Sequence, residues 1–152
     1  LGDNSYMSEL TLRASTSKDA DFIYSLNELT LRPYVEALDK RWSVPKMQEK
    51  CRKDAVEPNY SVVQLRGQDC GTLHVEATPD EIWLHALLLH PNYQHLGVGS
   101  QMMSMVLAQA REAAKPVLLY VTKSNPAKMF YDRFGFAVCE ENELHFGMRR
   151  SP

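Results

Sequence analysis

The stretch from Glu81 to Val121 constrains the fold of this chain more than any other. It opens on the apolar run "EIWLHALLLH", Glu81 to His90. Pro91 stops that run, and "QHLGVGS", Gln94 to Ser100, then places Gly97 and Gly99 one residue apart. A helical stripe follows at Met102, Met103, Val106, Leu107 and Ala110. Lys115-Pro116 ends it, and "VLLYV", Val117 to Val121, reads as a strand buried on both faces. Strand, crossover helix and second strand make a parallel pair. Any fold built on this segment is therefore of the α/β kind, with a helix laid across a sheet.

The flanking sequence is of another type. "LTLRAS" from Leu10 alternates as a half-buried strand does. Ser17 is the expected N-cap of a helix carrying Phe22, Ile23, Leu26 and Leu29, and Pro33 is expected to break or restart it. A second helix, "VPKMQEKCRKDAV", is expected to start with Pro45 at its first position. "YSVVQLR" (Tyr60 to Arg66) and "GTLHVEA" (Gly71 to Ala77) form an antiparallel meander with the Glu81 strand, turning at Gly67-Gln68-Asp69 and Thr78-Pro79-Asp80. "NPAKMFYDRFGF" reads as a short helix, with Asn125 as N-cap, Pro126 at its first position and Gly135 as its stop. "FAVCEE" and "LHFGMRR" close the chain as a strand pair. The expectation is a mixed, mostly antiparallel sheet of about seven strands, with about four helices on its faces.

A length of 152 residues suits one domain, placed at 7–152, with residues 1–6 read as a cloning remnant before Met7-Ser8-Glu9. The formal net charge of -2 argues against nucleic-acid binding by bulk charge. Cys51, Cys70 and Cys139 are scattered and odd in number, so neither a disulfide framework nor a metal site is indicated. They are expected to be buried structural thiols in a reducing, cytoplasmic compartment. No apolar run approaches the ~18 residues of a membrane span.

The glycines admit two explanations. Gly97 and Gly99 serve a plain strand-to-helix turn, or they let backbone N–H groups approach an anion at a helix start. A Walker loop is excluded because Ser100-Gln101, not Lys-Ser/Thr, follows Gly99. A dinucleotide fingerprint is excluded because Met102 stands where a third small residue is needed.

The order of apolar strand, proline, Gln94-x-x-Gly97-x-Gly99 and helix resembles the acyl-CoA signature of the GNAT superfamily of N-acetyltransferases. A second segment resembles the same superfamily at Asn125, Pro126, Ala127, Tyr131, Gly135 and Phe136. The strand order from Leu10 to Arg149 fits it as well, and "LRPYVEAL" near Leu31 resembles a bacterial branch of small GNAT proteins without assigned substrates.

The resemblance implies a division of labour. Gln94, His95, Leu96, Gly97, Val98, Gly99 and Ser100 would cradle the CoA pyrophosphate. Leu87, Leu88 and Leu89 would pair their backbone with the pantetheine arm. Asn125 and Ala127 would lie beside that arm, and Tyr131 would point at the thioester sulfur. Tyr34 and Trp42 would shape the acceptor pocket. The implied reaction moves an acetyl group from acetyl-CoA, a co-substrate, to a primary amine by direct attack, with no metal. A larger acyl group stays open. So does a catalytically silent acyl-CoA sensor or interaction module. The resemblance also makes a homodimer possible.

The chemistry needs a base for the amine, a donor for the oxyanion and a proton or hydrogen bond for the thiolate. Relatives often place a glutamate on the splayed strand or on the next parallel one. This chain offers Trp83 and Tyr120 there. His85 is the candidate base, since it shares strand parity with Leu87 and Leu89 and an imidazole ordinarily titrates near ~6.5. The competing expectation is a half-buried histidine bonded to a backbone carbonyl. A bulge in the strand would also turn it away. For Tyr131 the competing expectation is a core tyrosine.

Overall fold

The computed structural model describes residues 9–152. The expected domain start at Met7 and the expected remnant before it lie outside those residues. The chain forms one seven-stranded sheet in the order β1-β2-β3-β4-β5-β7-β6. The strands are β1 (Leu10–Ala14), β2 (Tyr60–Leu65), β3 (Gln68–Ala77), β4 (Ile82–Leu89), β5 (Val117–Thr122), β6 (Ala137–Glu141) and β7 (His145–Arg150). The helices are α1 (Ala20–Glu36), α2 (Val44–Asp54), α3 (Val98–Ala113) and α4 (Ala127–Arg133). This is the expected mixed α/β architecture.

Strands β1 to β4 are an antiparallel meander. The β2–β3 hairpin is tighter than the expected turn at Gly67 to Asp69. Arg66 and Gly67 both take positive φ, and Leu65 pairs directly with Gln68. That is the two-residue turn whose twist matches paired strands. Crossover helix α3 then brings β5 parallel to β4, as expected. Pairing between them is confined to Ile82↔Val117 and Trp83↔Leu118. Beyond Trp83 the two strands part. β7 adds on the other side of β5, and β6 closes the sheet as an edge strand.

Helices α3 and α4 cover one face. Met102, Met103, Val106 and Ala110 pack there on Ile82, Leu84, Val117 and Leu119, with Phe130, Tyr131 and Phe134 alongside. Helices α1 and α2 cover the other face, where Ile23, Cys51, Ala55 and Tyr60 form a smaller cluster against Ala86. Tyr120 on β5 is half exposed, although its strand reads in sequence as buried throughout.

Several local expectations need correction. Helix α1 runs through Pro33 to Glu36. Only three residues follow the proline in the helix, so its missing N–H falls near the end of the hydrogen-bond ladder. Thr16, not Ser17, is the cap. It closes a capping box with Asp19 over a short 3₁₀ turn, and α1 starts at Ala20. Helix α2 begins at Val44 behind the cap Ser43, which puts Pro45 second. Cys51 and Cys70 are buried, whereas Cys139 is exposed because β6 is an edge strand with no helix over it.

Candidate active site

The parting of β4 and β5 opens a cleft of about 1180 Å³. Its walls are the outer half of β4, the turn before α3, the start of α4, the last turns of α1 and the inner face of β3. On β4 the cleft meets a strand edge that has no pairing with β5 after Trp83. Leu87, Leu88 and Leu89 line it, as the sequence reading expects.

The glycine turn forms the adjoining wall. Gly97 is the N-cap of α3 with φ of 82°, and no side chain caps that helix. The first-turn amides are thus left to whatever occupies the cleft. A Cβ at Gly99 would meet no protein atom nearer than the Phe130 ring at 3.8 Å. The space beside it is therefore not taken up by the protein. Gln94 lines the cleft while its side-chain amide donates to the Leu89 carbonyl at 3.1 Å, which ties the turn to the end of β4. His95 and Ser100 line the cleft too. Leu96 and Val98 do not: Leu96 is exposed, and the Val98 side chain is packed into the core. Only their backbone stands in the turn.

Helix α4 supplies the third wall. Pro126, not Asn125, is the N-cap, and the helix starts at Ala127; from one residue before the cap, the Asn125 carboxamide oxygen accepts from the Ala127 N–H at 2.9 Å. Asn125, Ala127, Phe130, Tyr131 and Arg133 all line the cleft. Ala127 and Tyr131 share a helix face, as four-residue spacing requires. Tyr131 also packs against Phe130 and Phe136, with ring centroids 5.6 and 5.9 Å away. It is thus both a cleft residue and a core-packing one. Burial pushes its phenol up to about 12. Arg133 brings a guanidinium that the sequence reading does not single out, since a basic residue in a last helical turn reads as ordinary dipole matching.

The far wall is aromatic and polar. His85 lies in the cleft, but not by parity with Leu87 and Leu89. The β3–β4 register passes from His74↔Ala86 to Val75↔Leu84, so His85 is the extra residue of a β-bulge. Leu84 before the bulge and Leu87 after it both pack on the α3 face. His85 instead joins the rings of the α1–α2 face. Its ring centroid is 5.0 Å from His74 and 6.2 Å from Trp83, the latter stacked at 9°. Nε2 lies 3.0 Å from Glu76 Oε1, so the ring is bonded to a carboxylate and not to a backbone carbonyl. Trp83 stacks in turn on Tyr120 at 5.6 Å, and Tyr60 lies 5.0 Å from His74. Burial holds the His74 imidazole below its ordinary range, and the neighbouring His85 adds to this. The Tyr60 phenol is pushed up to about 12, again by burial.

Of the two expected acceptor residues, Tyr34 lines the cleft and Trp42 does not. Trp42 is buried, and its indole N–H donates to the Tyr24 hydroxyl at 3.3 Å. The link after α1 folds it back onto that helix. Tyr34 stays at the cleft because its carbonyl accepts from Ser124 Oγ at 2.5 Å, joining the end of α1 to the loop before α4. Among the described residues no cluster of three or more metal-ligating side chains occurs. No helix there is long and apolar enough to cross a membrane.

A family model described as an acetyltransferase (GNAT) domain matches residues 57–138. Cysteine-rich protein 2-binding protein is 32% identical in Mus musculus and 30% identical in Homo sapiens, each over 92 residues. That match covers 59% of this chain and 11% of either relative, so the chain spans about one ninth of their length. Among solved structures, the PaiA N-acetyltransferase of Thermoplasma acidophilum in complex with coenzyme A superposes with a TM-score of 0.74 at 16% identity, covering 94% of this chain and 99% of that one. An acetyltransferase of Thermus thermophilus gives 0.74 at 20% identity, with 94% and 97% covered. Arabidopsis thaliana Naa50, in complex with the bisubstrate analogue CoA-Ac-MVNAL, gives 0.66 at 16% identity, with 95% and 99% covered.

Proposed function

Because this chain belongs to the GNAT acetyltransferase family, we propose that it moves an acetyl group from acetyl-CoA to a primary amine, with both bound in the cleft between β4 and β5. The observation that carries the reading is the meeting, in one cleft, of an open strand edge, an uncapped helix start and a tyrosine on a short helix. Each suits one part of the co-substrate. The amides at the start of α3 receive the pyrophosphate. The open edge of β4 pairs with the amides of the pantetheine arm, as an added strand would. Tyr131 stands where the arm, passing Ala127, brings its sulfur.

The reaction balances without a covalent enzyme intermediate. The acceptor ammonium first gives a proton to a base, for which His85, one of the histidines that line the cleft, is the candidate. The free amine nitrogen then attacks the thioester carbonyl carbon. As the tetrahedral species collapses, the C–S bond breaks and the nitrogen loses its second proton. The thiolate leaves with a hydrogen bond from Tyr131 and is protonated to the thiol. The net products are the acetamide, CoA thiol and one proton.

The surroundings of Tyr131 decide how it helps. Burial raises the Tyr131 phenol to about 12, so its hydroxyl holds its proton. Tyr131 therefore acts as a donor that stays protonated and stabilises the thiolate by hydrogen bonding. The proton that finishes the leaving group comes from the amine.

The test is release of CoA thiol from acetyl-CoA across a panel of primary amines: peptide N-termini, lysine peptides, polyamines and aminoglycosides. Turnover with one class supports the reading and names the acceptor. CoA binding at the cleft without turnover of any of them would refute it in favour of a non-catalytic acyl-CoA-binding module.

A further inference from the structure

We propose that Glu76 is a positioning residue that fixes the tautomer of His85, so that the imidazole meets the acceptor amine with Nδ1 bare. The inference rests on the acyl-transfer reading above. It starts from the bulge. An ordinary register would give His85 a pairing partner on β3, but the bulge leaves it unpaired between Leu84 and Ala86. The freed side chain is then held from three sides. The His74 ring lies 5.0 Å from it, and the Trp83 ring lies nearly parallel to it. Glu76 Oε1, on the neighbouring strand, is 3.0 Å from Nε2.

An ionised carboxylate only accepts hydrogen bonds. A contact of this length therefore requires the hydrogen on Nε2. In the neutral ring Nδ1 is then the lone-pair nitrogen. Two rings set the plane of the imidazole and Glu76 sets which nitrogen is basic. The pair gives little to stability, since both side chains are largely exposed, at 41% and 57%. Its value lies in orientation at the cleft, which both residues line.

The proton path follows. The ammonium proton passes from the amine nitrogen to Nδ1. The resulting imidazolium carries hydrogens on both nitrogens and is paired with Glu76. Its exposed ring then releases a proton to solvent and returns to the Nε2–H form. Without Glu76 the neutral ring divides between two tautomers, and one of them presents a hydrogen to the amine instead of a lone pair.

The experiment pairs ¹⁵N NMR of the imidazole nitrogens with steady-state rates in the full chain. In the wild type, His85 should be in the Nε2–H form. Glu76→Leu should abolish that preference and lower kcat at least about 10-fold, with KM for acetyl-CoA unchanged. Glu76→Gln keeps an accepting oxygen, so it should restore both the tautomer and the rate in part. A His85 tautomer that is the same in Glu76→Leu overturns the proposal. So does an unchanged kcat once the tautomer has shifted. If the tautomer follows Glu76 while His85→Ala retains the full rate, the base role given to His85 falls instead.

Discussion

Gly71 lies so close under Leu88 that a Cβ added there would stand 2.4 Å from the Leu88 carbonyl oxygen. The two residues sit on neighbouring strands, and Leu88 belongs to the half of β4 that borders the cleft. The clash would be with backbone, which cannot rotate aside. Gly71→Ala should therefore displace β4 where the co-substrate would pair. A loss of about 1–3 kcal/mol of stability is expected from such overpacking, together with weaker CoA binding. Denaturant titration and calorimetry on the same variant check both. Wild-type values in both would show that β4 yields at no cost.

Gly99 is the opposite case. The open space beside it means that a side chain there would disturb little of the protein itself. Gly99→Glu should fold with a melting temperature near wild type and lose CoA affinity, because it puts bulk and negative charge where a pyrophosphate is expected. Calorimetry with CoA is the measurement. Retained affinity in the folded variant would remove the phosphate from this turn.

Tyr131→Phe deletes only a hydroxyl that is raised to about 12 by burial alone. The packing on Phe130 and Phe136 is kept. We expect kcat to fall at least ~10-fold, with CoA affinity and melting temperature nearly unchanged. The pH dependence has a defined sign. A phenol raised from 10.0 to about 12 favours the folded state fully below 10 and loses that contribution as pH rises toward 12. Tyr131→Phe should thus flatten part of the alkaline loss of stability. An unaltered kcat, in an assay limited by chemistry, would refute the catalytic role.

Asp19 governs the acid side. Hydrogen bonds from the Arg13 guanidinium at 2.8 and 2.9 Å hold its carboxyl below the usual carboxylate range, and partial burial opposes them only in part. A depressed carboxyl stabilises above its unfolded value and loses that contribution as pH falls through the folded one. Asp19→Asn keeps the shape but not the charge. It should cost about 1–3 kcal/mol at neutral pH, and the cost should shrink progressively as pH falls below the ordinary carboxylate range. Urea denaturation across that pH range tests this, and an equal cost throughout would show that charge is not the cause.

The thiols offer a direct check of the packing. Burial pushes Cys70 up to about 11, and Cys51 is raised as well, whereas Cys139 is exposed. Disulfide-exchange reagents at pH 8 should modify one thiol of the three in the native protein and all three in denaturant. Rapid modification of two or more in the native state would contradict the placement of α2 or β3.

The parts legible in the sequence are those governed by local rules. The turn at Gly97, the crossover helix with its Met102 and Val106 stripe, and the Asn125 bond to the Ala127 N–H are each set by residues within a few positions of one another. What escapes a sequence reading depends on register. His85 has the parity of Leu87 and Leu89 in the sequence, but one bulge residue moves it to the opposite face from Leu87. Glu76 carries no sequence signal of a site role. Only the pairing of Glu76 with Trp83, one step from the bulge, brings it to His85. Tyr120 looks buried within "VLLYV", yet it is half exposed. Trp42 looks like a pocket residue, yet the link after α1 folds it inward. Such outcomes follow from long-range pairing and from where helices end, and neither has a short sequence signal.

Strand edges are hazards as well as binding sites, because an unpaired edge can accept a strand from another chain. This sheet has outer edges at β1 and β6. The two-residue pairing between β4 and β5 leaves facing inner edges on both strands, and that of β4 borders the cleft. A neighbouring copy pairing along the sheet meets β1 or β6 first, because that inner edge is flanked by strands on both sides. Whatever pairs with it must enter end-on, as a single thread, from the mouth of the cleft. The geometry thus sorts visitors by shape before any side chain takes part.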